Sequence, residues 1–168
     1  MNSRLFVGLL VGLAVAVCAP TGAEPVTQPS GKLTWHSSCK KEGDTARRGG
    51  AALGSSEACI QYSYTRRGGL SLRHINAGFN CCPGELTVEV VIDELTISVI
   101  EREEKNGCRC VCLYDIDIDV TDLKPAVYVV EFGEPYLGNG NERFEFTVDL
   151  VADREGEICL SRSGGPWR

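Results

Sequence analysis

Hydrophobic and polar residues alternate with a period of two along most of the chain after residue 58, the pattern of half-buried β-strands. In residues 86–92 every second position is Leu, Val or Ile, and residues 95–99 repeat the pattern after a tight turn at residues 93–94. We predict that these segments form a β-hairpin.

The longest predicted strand covers residues 108–121. Its odd positions include Asp115, Asp117 and Asp119, which predict a solvated acidic face rather than a calcium loop, because Val120 occupies the position where such a loop needs glycine. If no bulge shifts the register, the opposite face points into the core. That face carries Cys108, Cys110, Cys112, Tyr114, Ile116, Ile118 and Val120.

The remaining strands complete an all-β fold, predicted to be an immunoglobulin-like or fibronectin III-like β-sandwich of about eight strands stapled by disulfides. Leu123, Pro125 and Tyr128 resemble the corner at which a tyrosine hydroxyl bonds back to the backbone in such domains. We place this domain at residues 58–168, after an irregular linker and N-terminal segment at residues 24–57.

The N-terminus predicts export. Arg4 precedes an uncharged apolar run at residues 5–17, and small residues follow at 19–23, which is typical of a secretory signal peptide over residues 1–23. The run is shorter than the roughly 20 residues of a membrane-spanning helix. We expect the periplasm or the cell surface as the location. An alternative hypothesis places a lipid anchor at Cys18, although Val17 departs from the small residue expected before a lipidated cysteine.

Nine cysteines support an oxidising compartment, because eight remain once the signal containing Cys18 is removed. Cysteines two residues apart in a strand, and adjacent cysteines, pair poorly with each other. We therefore expect Cys81 and Cys82 to bond to members of the 108–112 triplet, and the third triplet member to bond to Cys39, Cys59 or Cys159. The disulfide candidates are Cys39, Cys59, Cys81, Cys82, Cys108, Cys110, Cys112 and Cys159.

A metal site is the alternative interpretation of the same residues. A ligand set of thiolates and one imidazole could bind zinc or copper. The C-x-C-x-C spacing spreads sulfurs along a strand instead of converging them on one ion, so disulfides are the favoured interpretation and we predict no cofactor. The alternative ligands are Cys81, Cys82, His74, Cys108, Cys110 and Cys112.

Several function classes find no support in the sequence. The net charge of −6, without a basic region, argues against nucleic acid as a partner, and membrane contact would come only through an anchor at Cys18. Neither a nucleophile elbow nor a phosphate-binding glycine loop is present. We interpret Glu101, Glu103 and Glu104 as a solvated strand end, and His74 as a half-buried, hydrogen-bonded histidine.

Two motifs and the C-terminal Pro-Trp pair resemble those of a group of bacterial exported proteins, many of them predicted lipoproteins. The residues that carry the resemblance are 72–84, with Asn80-Cys81-Cys82-Pro83, the run 108–115, and the Pro166-Trp167 ending. The resemblance covers most of residues 58–168. It implies a location in the bacterial envelope, and it assigns no activity and no catalytic residue.

The sequence therefore favours a non-catalytic exported module that binds an unknown protein or envelope ligand, or that serves a structural role in the bacterial envelope. The first alternative is an envelope metal-binding protein that uses the cysteine cluster. The second is a secreted enzyme of unknown reaction, because active sites assemble from residues distant in sequence.

Overall fold

A computed structural model describes residues 28–40, 46–48, 51–105 and 107–167, with residues 46–48 and 51–53 described as backbone only. The predicted signal peptide and Cys18 lie outside the described residues. The described chain contains eleven strands: β1 Ser30–His36, β2 Ala46–Arg48, β3 Ala51–Leu53, β4 Glu57–Tyr64, β5 Leu70–Asn80, β6 Leu86–Asp93, β7 Thr96–Glu103, β8 Val111–Thr121, β9 Val127–Gly133, β10 Glu145–Asp149 and β11 Glu155–Ser161. The last eight, β4 to β11, belong to the predicted domain and agree with the predicted number of about eight.

Nine of these strands form two sheets, which confirms the predicted disulfide-stapled all-β sandwich. The five-stranded sheet has the order β1-β8-β5-β4-β11, and the four-stranded sheet has the order β10-β9-β7-β6. The short strands β2 and β3 pair only with each other. Between the two sheets lies one core of apolar side chains, so each sheet keeps a second, outward face.

The predicted hairpin is confirmed as β6 and β7, which pair from Leu86 opposite Glu103 to Asp93 opposite Thr96. Leu95 is an exception, because it occupies the turn and is 54% exposed instead of belonging to the return strand. The parallel pairing of β7 with β9 was not predicted. A parallel pair needs a long connection, and here β8 in the opposite sheet provides it.

The even-numbered residues of β8 are buried from Tyr114 onward as predicted, and Ile116, Ile118 and Val120 have no exposed surface. The strand begins at Val111, however, so the prediction that Cys108 and Cys110 face the core within it is wrong. The side chain of Asn80, at the end of β5, fixes the loop that precedes β8. It accepts hydrogen bonds from the amides of Cys82 and Cys108 and donates one to the Cys108 carbonyl.

The segment predicted to be an irregular linker contributes to the sheet, which corrects that part of the prediction. Strand β1 pairs with β8 at the edge of the five-stranded sheet, and Leu33 on it packs against the core. A register shift between Leu33 and Trp35 interrupts the alternation of this strand. Its pattern in the sequence is therefore too short to indicate a strand.

The predicted tyrosine corner is present between β8 and β9. The hydroxyl of Tyr128 donates to the carbonyl of Lys124 at 3.0 Å. A second hydroxyl, that of Tyr64, donates to the carbonyl of Leu123, also at 3.0 Å. The corner is thus fixed from both sheets, since Tyr64 ends β4 in the other one.

Eight cysteines form four disulfides. The pairing of Cys81 and Cys82 with members of the 108–112 triplet agrees with the prediction from the cysteine spacing. Each member of the 108–112 triplet bonds outside the triplet, two of them to the adjacent pair. The disulfides are Cys39–Cys112, Cys59–Cys159, Cys81–Cys110 and Cys82–Cys108.

Candidate functional site

Strand β5 carries the residues from which both candidate sites are built. Arg73 and His74 are neighbours in the chain and point to opposite sides of the sheet, as consecutive residues of a strand do. Arg73 lies on the outer face, and His74 lies between the sheets with no exposed surface. A bulge at Asn76, whose φ of 64° is left-handed, then shifts the alternation by one residue.

His74 belongs to a group of four charged side chains between the sheets, which we call the buried quartet: His74, Glu101, Glu134 and Arg162. The His74 Nδ1 atom lies 2.6 Å from Glu101 Oε1, and Arg162 Nη2 donates to Glu134 Oε2 at 2.7 Å. The two pairs meet where His74 Nε2 approaches Glu134 Oε1 at 3.8 Å. All four side chains are at most 1% exposed.

Aromatic rings surround the buried quartet and exclude solvent from it. Phe132 and Phe144 meet the His74 ring edge-on at centroid distances of 5.6 and 5.3 Å. The Arg162 guanidinium lies over Phe144 at 4.8 Å and near Trp167 at 5.8 Å. Trp167 in turn covers Gly78, where a Cβ atom would come within 2.8 Å of the ring.

Electrostatics favour a protonated His74 in this setting. Burial lowers the pKa of His74, but the contact with Glu101 and the charge of Glu134 outweigh burial and raise the pKa overall. Burial also raises the pKa of Glu134, against the opposing charges of His74 and Arg162. With His74 charged, two cations face two carboxylates, which limits the cost of burying the group.

Hydrogen bonding within the buried quartet is incomplete among the described residues. Each of its four members keeps one buried nitrogen or oxygen without a hydrogen-bond partner, and such atoms cost free energy. The attraction between opposite charges, rather than hydrogen bonding, is therefore the main interaction that holds this cluster together. Because these side chains are almost completely buried, we interpret the cluster as a structural element between the sheets.

The outer face of the five-stranded sheet is the second candidate, and it is open to solvent. One row of side chains crosses all five strands, because each member is paired with the next one in the register. The row is Trp35, Asp117, Arg73, Gln61 and Glu157. A neighbouring row consists of Lys32, Asp119, Ser71, Ser63 and Glu155. We call these two rows the outer face.

The outer face carries an open concavity of about 1140 Å³, which is lined by residues of all five strands, among them Arg73 and Asp117 but not Trp35 or Lys32. The Arg73 guanidinium lies at the centre, within 3.7 Å of an Asp117 oxygen and 5.5 Å from the centroid of the Trp35 ring. Burial and the neighbouring carboxylates of Asp115 and Asp119 raise the pKa of Asp117, against the opposing charge of Arg73. Trp35 is 47% exposed, so its ring remains accessible at the rim.

Asp115, which precedes the outer-face residues Asp117 and Asp119 on β8, is buried, which corrects the prediction of a uniformly solvated acidic strand. Lys40 Nζ donates to Asp115 Oδ1 at 2.5 Å and to Asn76 Oδ1 at 2.6 Å. The backbone amide of Asn76 also donates to Asp115 Oδ1. The lysine that neutralises Asp115 comes from the segment predicted to be irregular, so the strand pattern could not indicate it.

The metal-binding alternative loses its ligands in the oxidised protein. Cys81, Cys82 and the 108–112 triplet are all in disulfides, and the side chains that His74 approaches as ion-pair partners are Glu101 and Glu134. Sulfurs of Cys39, Cys81 and Cys112 do lie within 4.8 Å of one another. They do so because two disulfides are adjacent, and a disulfide sulfur is not a thiolate ligand.

Sequence reasoning missed most of the buried quartet. The assignment of Glu101 to a solvated strand end is wrong, since Glu101 is 3% exposed. Its position offered a signal, because it shares the parity of the buried Ile97 and Val99 on β7. A charged residue on the core side of a strand needs a buried partner. Glu134 and Arg162 follow the ends of β9 and β11 and carry no comparable signal.

Comparisons with known proteins provide no relative: no family model matches the chain, and no curated protein or solved structure is significantly similar to it. Within the part of the chain that the structure describes, no helix has the length and apolarity needed to cross a membrane. The contacts described above are the basis on which we propose a function.

Proposed function

We propose that this protein is a non-catalytic, exported binding module of the bacterial envelope, and that it binds through the outer face of the five-stranded sheet. The observation that carries the proposal is the concavity on the outer face, which Arg73 lines and beside which the Trp35 ring lies under the Arg73 guanidinium. Exposed aromatic and arginine side chains supply a large share of binding energy at protein surfaces.

The two sides of the five-stranded sheet support different roles for their charges. The charged side chains of the buried quartet are paired with one another and are at most 1% exposed, whereas Arg73 keeps 44% of its side chain accessible. Four disulfides are typical of exported proteins and hold the sheet in a fixed shape. A rigid surface loses little entropy on binding.

The test is co-sedimentation of the oxidised, exported protein with a bacterial envelope fraction of membranes and cell wall. We expect Arg73→Glu to reduce retention, because it replaces the central cation of the outer face. Arg102→Glu is the matched control, since Arg102 is a comparable exposed cation, paired with Glu89, in the other sheet. Equal retention of both variants and of the unaltered protein would refute binding through the outer face.

A further inference from the structure

The chemistry of the outer face indicates which class of ligand it suits, an argument that rests on the proposed function. Five adjacent strands spaced by about 4.8 Å give each row a length of about 19 Å. Each row is therefore long enough for several units of an extended polymer. A ligand lying along it would cross the strands without pairing to any sheet edge, unlike an added peptide strand.

Hydrogen-bond donors and hydrogen-bond acceptors alternate along these rows. Arg73 and Lys32 only donate, the carboxylates of Asp117 and Asp119 accept, and Gln61 does both. Hydroxyl groups are matched to such a surface because each one donates and accepts. A chain with several hydroxyls on every unit could thus bond at successive positions of a row.

Charge excludes one class of polymer from this surface. The two rows hold two cations, Lys32 and Arg73, against four carboxylates, and Arg73 is already close to Asp117. Polyanions such as nucleic acids and phosphorylated polymers would meet net repulsion there. A neutral chain would not, and its hydroxyls would bond to the carboxylates as donors.

Trp35 is the one large apolar side chain in the two rows. Its accessible ring lies at the rim, beside Arg73. A lipid or an apolar peptide would need a continuous apolar surface, which the polar rows do not offer. A sugar ring needs only one aromatic side chain as its apolar contact. Its C–H face packs on that ring, while its polar edge forms hydrogen bonds with the rows.

We infer that the outer face binds a neutral polysaccharide laid across the five strands, with one sugar ring packed on Trp35 and hydroxyls bonded to Arg73 and Asp117. The polymer is identified by its chemistry: it is uncharged, extended and hydroxylated on every unit. The disulfides and the Lys40–Asp115 contact hold the face in its binding shape before the ligand arrives.

The experiment is affinity electrophoresis of the oxidised protein in gels that contain soluble neutral polysaccharides, among them a β-glucan, a xyloglucan and a mannan. We expect at least one of them to retard the protein. Trp35→Ala should weaken this retardation about tenfold or more, through loss of ring packing. Arg102→Ala, in the opposite sheet, should leave it unchanged, and unaltered melting temperatures would show that both variants fold.

Three results would overturn the inference: no retardation by any neutral polysaccharide, retardation that Trp35→Ala leaves unchanged, or binding confined to heparin or polylysine as charged probes. The proposed function fails separately. If envelope retention depends on Arg73 but no neutral polysaccharide binds or competes, the binding module stands and the polysaccharide is wrong. If retention does not depend on Arg73, the binding module itself is wrong.

Discussion

Arg73 and His74 are consecutive residues of one strand, yet their surroundings differ in almost every respect. His74 is fully buried in a quartet whose charges are paired between the two sheets, and Arg73 is half exposed beside Asp117 and Trp35. Because the buried quartet is shielded from water, removing one of its charges leaves another charge buried without a partner, which costs free energy. Solvent screens the charges of the outer face, so each of them can change partner at little cost.

This contrast separates stability from binding. The buried quartet connects β5 and β7 with the segments that follow β9 and β11, so its loss should weaken the contact between the sheets. The outer face joins strands that the sheet already holds by backbone hydrogen bonds. We expect variants of the buried quartet to lower the stability of the protein, and variants of the outer face to leave its stability almost unchanged while weakening ligand binding.

The largest effect should come from Arg162→Leu, which leaves Glu134 buried without its 2.7 Å partner. We expect the free energy of unfolding to fall by about 3–5 kcal/mol in urea titrations followed by circular dichroism. Arg102→Leu is the control on the exposed surface, where a change within about 0.5 kcal/mol is typical. Similar values for the two variants would mean that the buried quartet is not a stabilising contact.

Removing one disulfide from the outer side of the five-stranded sheet should have the next largest effect. Cys59–Cys159 joins residues 100 apart, and the pair packs there against Ile75. Replacing both cysteines with Ala should cost about 2–4 kcal/mol in the same titration.

The control for this disulfide is Cys82–Cys108. It lies beside Cys81–Cys110 and closes only a short additional loop, so its removal should cost less than that of Cys59–Cys159. The reverse order would show that the unfolded chain is not what these disulfides restrict.

Stability should also depend on pH through the buried quartet. The pKa of His74 is raised above 6.5 in the folded protein, so its contribution is complete below pH 6.5 and is lost as pH rises through the folded value. The raised pKa of Glu134 acts in the same direction from pH 4.5 upward. Unfolding titrations from pH 6 to pH 9 should show stability falling as pH rises.

The matched variants are His74→Gln and His36→Gln, since His36 lies outside the buried quartet. We expect a shallower fall in the first and the original slope in the second. If both retain the original slope, His74 is not the group that titrates.

The smallest change in stability should come from Arg73→Ala. An exposed ion pair and an exposed cation–π contact each contribute about 1 kcal/mol or less. We expect a melting temperature close to that of the unaltered protein, measured by calorimetry, together with loss of envelope retention. A large loss of stability would show that Arg73 supports the fold, and it would remove the contrast between the two regions.

Much of the fold could be predicted where a local pattern continues for several residues. The alternation from Tyr114 to Val120, the hairpin of β6 and β7 and the corner at Tyr128 each depend on residues close in sequence. The cysteine spacing restricted the pairing for a similar reason, because neighbouring cysteines cannot reach each other. Strand β1 was missed because its register shift interrupts the pattern.

The candidate sites were less accessible to sequence reasoning. His74 was singled out, but as a half-buried residue or a ligand beside cysteines, whereas its partners are carboxylates on the facing sheet and beyond β9. Of the outer face, only Asp117 and Asp119 were placed together on one side of a strand, with Asp115 before them. Their neighbours Arg73, Trp35 and Lys40 come from other strands and segments.

The sequence by itself determined which residues alternate between inside and outside along a strand, since that depends on backbone geometry and on water. It also determined that the cysteines would staple the domain. Only the tertiary structure decided which strands became neighbours. His74 and Arg162 are 88 residues apart, and no local pattern records that each lies close to Glu134. Charges separated so widely in the chain acquire partners only when the sheets close around them.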